Sequence, residues 1–159
     1  MGAIHDAMTR FFEADNWTVS DLGDDSLGAV VKGKTGQWAL VAQAVEDRGF
    51  FLCYSQVPVD APVEMFSRVM EYVTRANVGA LGGNFEFDLE TGLVRYKTSV
   101  DVSAWSEKQR SSNAMRLLIE QAIITNVSMV DLYLPGLLET AFGGVDPSDA
   151  IARVENATA

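Results

Sequence analysis

The chain has one cysteine and one histidine in 159 residues. A lone cysteine, Cys53, excludes an intrachain disulfide and suits a reducing compartment, so the protein is expected in the cytoplasm. The thiol lies in the apolar run Phe50–Tyr54 and reads as a small buried hydrophobe. A Ser/His/Asp or Cys/His system would have to be built around His5 alone, with no nucleophile-elbow or cysteine-protease context nearby. Asp21, Asp24 and Asp25 lack the alternating ligands and closing glutamate of a calcium loop. No catalytic residue, cofactor or metal site is expected.

Three further absences narrow the class. No run of eighteen apolar residues occurs, so no segment is expected to span a bilayer. Residues 1–15 carry acids throughout, without the basic start and apolar block of a targeting signal, and Gly2 is not followed by a myristoylation pattern. No cluster of Lys and Arg exists. With twenty-two acids against twelve bases the net charge is −10, which repels nucleic acid and anionic membranes. Such acidity suits solubility, or a protein partner with basic segments.

What is present is a chain of ordinary globular composition, 48% apolar and 21% charged, read as one domain over residues 1–156. Ile4, Met8, Phe11 and Phe12 recur at helical spacing over Ala3–Asp15. An acidic, turn-rich stretch follows. Three strands are predicted at Leu27–Lys32, Gln37–Val45 and Phe50–Gln56, separated by short Gly-containing turns. Gly28 to Thr35 matches the phosphate-loop pattern GxxxxGK[ST], but its middle is Ala-Val-Val, which favours a strand, and Gly36 follows where a helix should begin. A hairpin turn is the better reading.

Pro62 opens a helix reaching about Arg75. Its apolar residues fill close to half the circumference, wider than one packed face requires. Phe66, Met70 and Val73 can face the sheet, which leaves Met65, Val69 and Tyr72 for a second neighbour, and a partner subunit is the expectation. A long helix is predicted from Asn113 to Tyr133, to be broken or kinked at Pro135-Gly136. Leu117 and Ile124 exceed its inward face and join the expected interface. Asn126 interrupts the inward face and, if buried, needs partners, either in neighbouring backbone or at an interface. Short helices are predicted at Leu137–Phe142 and Ser148–Glu155.

The segment from Gly82 to Ser99 reads GGNFEFDLETGLVRYKTS. A two-residue turn at Thr91-Gly92 pairs Phe87 with Tyr96 on one face and, on the other, Asp88 with Arg95 and Glu86 with Lys97. Each carboxylate then has a cation opposite it, which argues for structure rather than acid–base chemistry.

Tyr54-Ser55, Thr74-Arg75-Ala-Asn77 leading into Gly83-Asn84-Phe-Glu-Phe-Asp88, Arg95-Tyr96-Lys97-Thr98-Ser99, the run from Asn126 to Pro135-Gly136, and Pro147-x-x-Ala150-Ile151 together resemble the YbjN family. The resemblance implies a fold like that of type III secretion chaperones, a small antiparallel sheet with helices packed on one side, and a homodimer. With the three strands and the hairpin above, an α+β domain with a five-stranded antiparallel sheet is expected. It further implies a non-enzymatic role in regulation or chaperone-like binding of a protein client, and supplies no catalytic residues. The rival expectation is a small-ligand sensor or enzyme with a pocket between sheet and helices, using Asn84, Arg95 or Asn126.

Overall fold

A computed structural model describes residues 2–157. The N-terminal helix α1 (Ala3–Ala14) leads into a meander of four strands, β1 (Val19–Gly23), β2 (Ser26–Lys32), β3 (Gln37–Val45) and β4 (Phe50–Gln56). A 3-10 turn at Val63–Met65 opens helix α2 (Phe66–Ala76). The hairpin β5 (Asn84–Phe87) and β6 (Val94–Asp101) follows, then the short α3 (Glu107–Arg110), the long α4 (Asn113–Phe142) and α5 (Pro147–Asn156). All pairings are antiparallel, and the strand order is β1-β2-β3-β4-β6-β5.

The sheet thus has six strands rather than the expected five. The addition is β1, drawn from the acidic stretch read as a turn. Asp24 and Asp25 both take positive φ (49° and 52°), the geometry of a two-residue hairpin turn. Aspartate tolerates that region because its short carboxylate bonds locally, but Asp-Asp is a weaker signal than Asn-Gly.

Period-2 alternation fixes one buried face. Leu27, Ala29 and Val31 of β2 stand beside Trp38, Leu40 and Ala42 of β3, which continue into Phe51, Cys53 and Ser55 of β4. The alanines of β3 are therefore not helical. Ala42 and Ala44 are the small buried residues that let helices approach the middle of the sheet, while Ala39 lies on the exposed face. On that side α4 lies across β4 and β6, α1 meets β3, and α2 meets β5. Met115, Ile119, Ile123 and Val130 of α4 are fully buried, each side chain contributing about 1.5–3 kcal/mol of gross burial. The opposite face of the sheet carries Glu86, Arg95 and Lys97, with the Arg95 guanidinium 4.5 Å above the Tyr54 ring.

Helix α4 does not break at Pro135; it runs thirty residues, absorbing the predicted 137–142 helix. By length and mean hydropathy α4 could cross a bilayer, although a third of its most apolar window is buried in the fold. A search for unbroken apolar runs misses this, because Arg116, Glu120 and Asn126 punctuate the helix. Its inner face is committed to the sheet.

Candidate functional site

Burial within the chain decides which of the five expected interface residues remain accessible. Val69 and Tyr72 are completely covered by their own subunit. The Tyr72 hydroxyl donates to the Tyr133 carbonyl at 2.8 Å, so the second neighbour that α2 demanded is α4, helped by α5. Met65 is half-buried against the core. Two expectations for α2 are corrected. Met70, expected to face the sheet, is exposed, and Val69 and Tyr72, expected to meet a partner subunit, are covered by α4 and α5, which the wheel of α2 alone does not reveal. Leu117 and Ile124 on α4 are each 48% exposed, and Leu118 is 38% exposed. Seven residues separate Leu117 from Ile124, two helical turns, so both lie on the outer stripe of α4 with Gln121 between them.

Asn126 sits opposite this stripe. Its side chain is wholly buried, and Nδ2 lies 2.9 Å from the Cys53 carbonyl, 3.1 Å from the Tyr96 carbonyl and 3.2 Å from Thr98 Oγ1. Thr98 in turn donates to the Ala122 carbonyl at 3.0 Å. The amide pins α4 to the adjacent strands β4 and β6, and with its inner face fixed in this way the outer face points to solvent. Asn126 bonds to the chain's own backbone, one of the two outcomes open at the sequence level.

The hairpin pairs two residues away from the predicted register. Phe85 faces Tyr96, Glu86 faces Arg95 and Phe87 faces Val94. The connection is four residues long, Leu89–Gly92, with Asp88 N donating to the Leu93 carbonyl at 2.9 Å. A shift of two leaves each residue on its expected face, which is why the pattern could not distinguish the registers. Glu86 takes both cations, at 2.7 Å from Arg95 and 3.2 Å from Lys97. Burial alone would raise its carboxyl, but the bonds from Arg95 and Lys97 outweigh that and hold it below its ordinary value. Asp88 is not paired with a base across the strands. Its carboxylate accepts the Glu90 and Thr91 amides, building the turn that Gly92 closes with φ of 79°. Asn84 is exposed at the start of β5.

The phosphate-loop lookalike is a hairpin tip, as expected. Gly33 N donates to the Gly36 carbonyl at 2.9 Å, and the Thr35 amide is already committed to the Asp131 carboxylate at 2.8 Å. Burial pushes the Cys53 thiol up, and a bond from Thr98 offsets this only in part, so the sulfur is not a nucleophile at neutral pH. His5 Nδ1 is buried with no hydrogen-bond partner and lacks the orienting group of a catalytic imidazole. Among the described residues no group of three or more His, Cys, Asp or Glu could hold a metal ion.

The fold and its accessible features define an α+β domain with one covered sheet face and a partly apolar helix stripe exposed to solvent. The chain belongs to the YbjN family, whose sequence profile, described as "Putative bacterial sensory transduction regulator", matches residues 5–130. No curated protein and no solved structure gives a significant match.

Proposed function

We propose that this chain is a non-enzymatic cytoplasmic regulator that works by binding protein, pairing with a second copy of itself through the outer stripe of α4 and then engaging a client. The observation that carries this reading is the exposure of Leu117, Leu118 and Ile124 on a helix whose other face is fully packed. In an antiparallel pair of α4 helices centred beside Gln121, Leu117 of one copy lies opposite Ile124 of the other, a self-complementary patch of the kind two-fold symmetry requires. The family description as a regulator supports the class. Likeness to type III secretion chaperones in fold and partner binding is part of this proposal, as is the absence of nucleic-acid and membrane partners. Cross-linking tests it. Cys53 is buried, so a Leu117→Cys variant offers a single reactive thiol on the stripe. A short bis-maleimide should convert it to a covalent dimer, whereas a cysteine at exposed Glu90 should stay monomeric. Equal cross-linking of both would refute the pairing.

A second reading rests on an open groove of about 610 Å³ between the β2–β3 turn, α4 and α5, lined in part by Lys34, Ser128, Leu132 and Arg153. A small-ligand sensor would use this groove, outside the helix layer, rather than the expected space between sheet and helices. Saturable chemical-shift changes confined to its lining, on titration with a fragment library, would favour it over the adaptor.

A further inference from the structure

Proline inside a helix removes the N–H that would satisfy the carbonyl four residues earlier. Pro135 is the proline inside α4, and the carbonyl it leaves without a helical partner is that of Asp131. That gap is filled from another part of the fold. Thr35 Oγ1 lies 2.7 Å from the Asp131 carbonyl oxygen and 2.9 Å from Oδ1 of the same residue. A hydroxyl has one proton to give, and the shorter contact is to the carbonyl. The Thr35 amide donates to the Asp131 carboxylate at 2.8 Å.

The turn around Thr35 is shaped for this approach. A Cβ on Gly33 would lie 2.4 Å from Asp131 Oδ1 and 2.5 Å from the Trp38 ring, and one on Gly36 would lie 2.8 Å from Leu134 Cδ2. Both ends of the tip are therefore glycine where it meets α4. Lys34 and Thr35 themselves remain exposed. Burial alone would raise the Asp131 carboxyl, but bonds from Thr35 and Lys34 outweigh this and hold it below its ordinary value.

We propose that the β2–β3 turn is a releasable latch on α4, holding the helix at its Pro135 weak point. Released, residues 131–142 loosen while residues 113–126 stay clamped to the sheet. The asymmetry follows from what each half rests on. The first half carries fully buried Met115, Ile119, Ile123 and Asn126, the last bonded to two strands. The second half also buries Tyr133, Leu134, Leu137 and Ala141, but its cross-chain bond is from Tyr72 of α2 to the Tyr133 carbonyl rather than to a strand. Its outer side forms one wall of the open groove shared with Lys34, Arg153 and Val154. Anything seated in that groove touches both the latch and the segment it controls, so the latch is placed to report occupancy to the C-terminal half of α4 and to α5.

Native-state hydrogen exchange read by mass spectrometry tests the latch in four proteins: wild type, Thr35→Val, Thr35→Ser and Pro135→Ala. Thr35→Val deletes the hydroxyl at nearly constant volume and should speed exchange in residues 131–142 about tenfold, the effect of one lost hydrogen bond, without altering residues 113–126. Thr35→Ser keeps the donor and should match wild type. Pro135→Ala gives the Asp131 carbonyl its own helical N–H, so adding Thr35→Val to it should change exchange less than twofold. Unchanged exchange in Thr35→Val would overturn the proposal. So would acceleration spread evenly over α4, or an effect of Thr35→Val that is the same with and without Pro135.

Discussion

Asn126→Asp isolates the polar pin between α4 and the sheet. The wild-type amide has two protons and meets three acceptors, two of them strand carbonyls, at 2.9–3.2 Å. An ionised aspartate would donate nothing and would set a negative charge against those carbonyl oxygens in a site with no solvent exposure. The folded state escapes that by keeping the acid protonated. Holding a carboxyl of ordinary value about 3.9 neutral at pH 7 spans roughly three pH units, or about 4 kcal/mol. The protonated acid restores one donor of two, so a lost bond adds about 1 kcal/mol. Urea denaturation at pH 7 should therefore show Asn126→Asp less stable than wild type by about 4–5 kcal/mol.

The sign of the pH dependence follows. The folded state raises this carboxyl above its unfolded value, so the variant's stability is fully retained below about pH 3.9 and falls as pH rises toward the folded value. The gap to wild type should narrow to about 1 kcal/mol near pH 4. Asn126→Leu, which removes the donors and the unpartnered Oδ1 together, should cost less than Asn126→Asp at pH 7 and show no such dependence. A pH-independent gap for Asn126→Asp, or a loss below about 1 kcal/mol at pH 7, would refute the reasoning.

Other expectations follow from the same contacts. Glu86 is held below its ordinary value, so its contribution is present above about pH 4.3 and fades as pH falls through its folded value; the Tm difference between wild type and Glu86→Gln should shrink between pH 6 and pH 3. Asn77 accepts from Phe85 N at 2.7 Å and donates to Phe85 O at 3.1 Å, closing the free edge of β5. Asn77→Ala should lose about 1–2 kcal/mol in urea titration and aggregate faster in light scattering. Gly33→Ala pushes a methyl group into Asp131 and Trp38 and should destabilise by about 1–3 kcal/mol, whereas Lys34→Ala should leave stability within about 0.5 kcal/mol.

Much of the architecture was legible because it obeys short-range rules. β3 and β4 fall at the predicted boundaries, Gln37–Val45 and Phe50–Gln56, since alternation and turn glycines mark both ends. Ser106 N donates to Gln109 Oε1 at 2.9 Å, the bond that a Ser-x-x-Gln capping box makes from short-range spacing alone. The errors came from long-range compensation. Pro135 fails to stop α4 because Thr35, ninety-six residues before Asp131, satisfies the Asp131 carbonyl that proline orphans. Tyr72 is not an interface residue because Tyr133 and α5 arrive from the far end of the chain to cover it. The hairpin register slipped because Asp88 turns its side chain into the loop rather than across the strand. On the proposed surface, the excess of Leu117 and Ile124 over one helical face was visible in the spacing. That Val69 and Tyr72 of α2 take no part in it required the packing.

Sedimentation equilibrium on wild type and the Leu117→Glu/Ile124→Glu variant bears most directly on α4 as the interaction surface. Two charges on an exposed stripe should leave Tm within a few degrees while converting a wild-type species of about 35 kDa, twice the 17.3 kDa chain, into a monomer. A wild type that stays at 17.3 kDa up to high micromolar concentration, or a dimer that survives both glutamates, would contradict it.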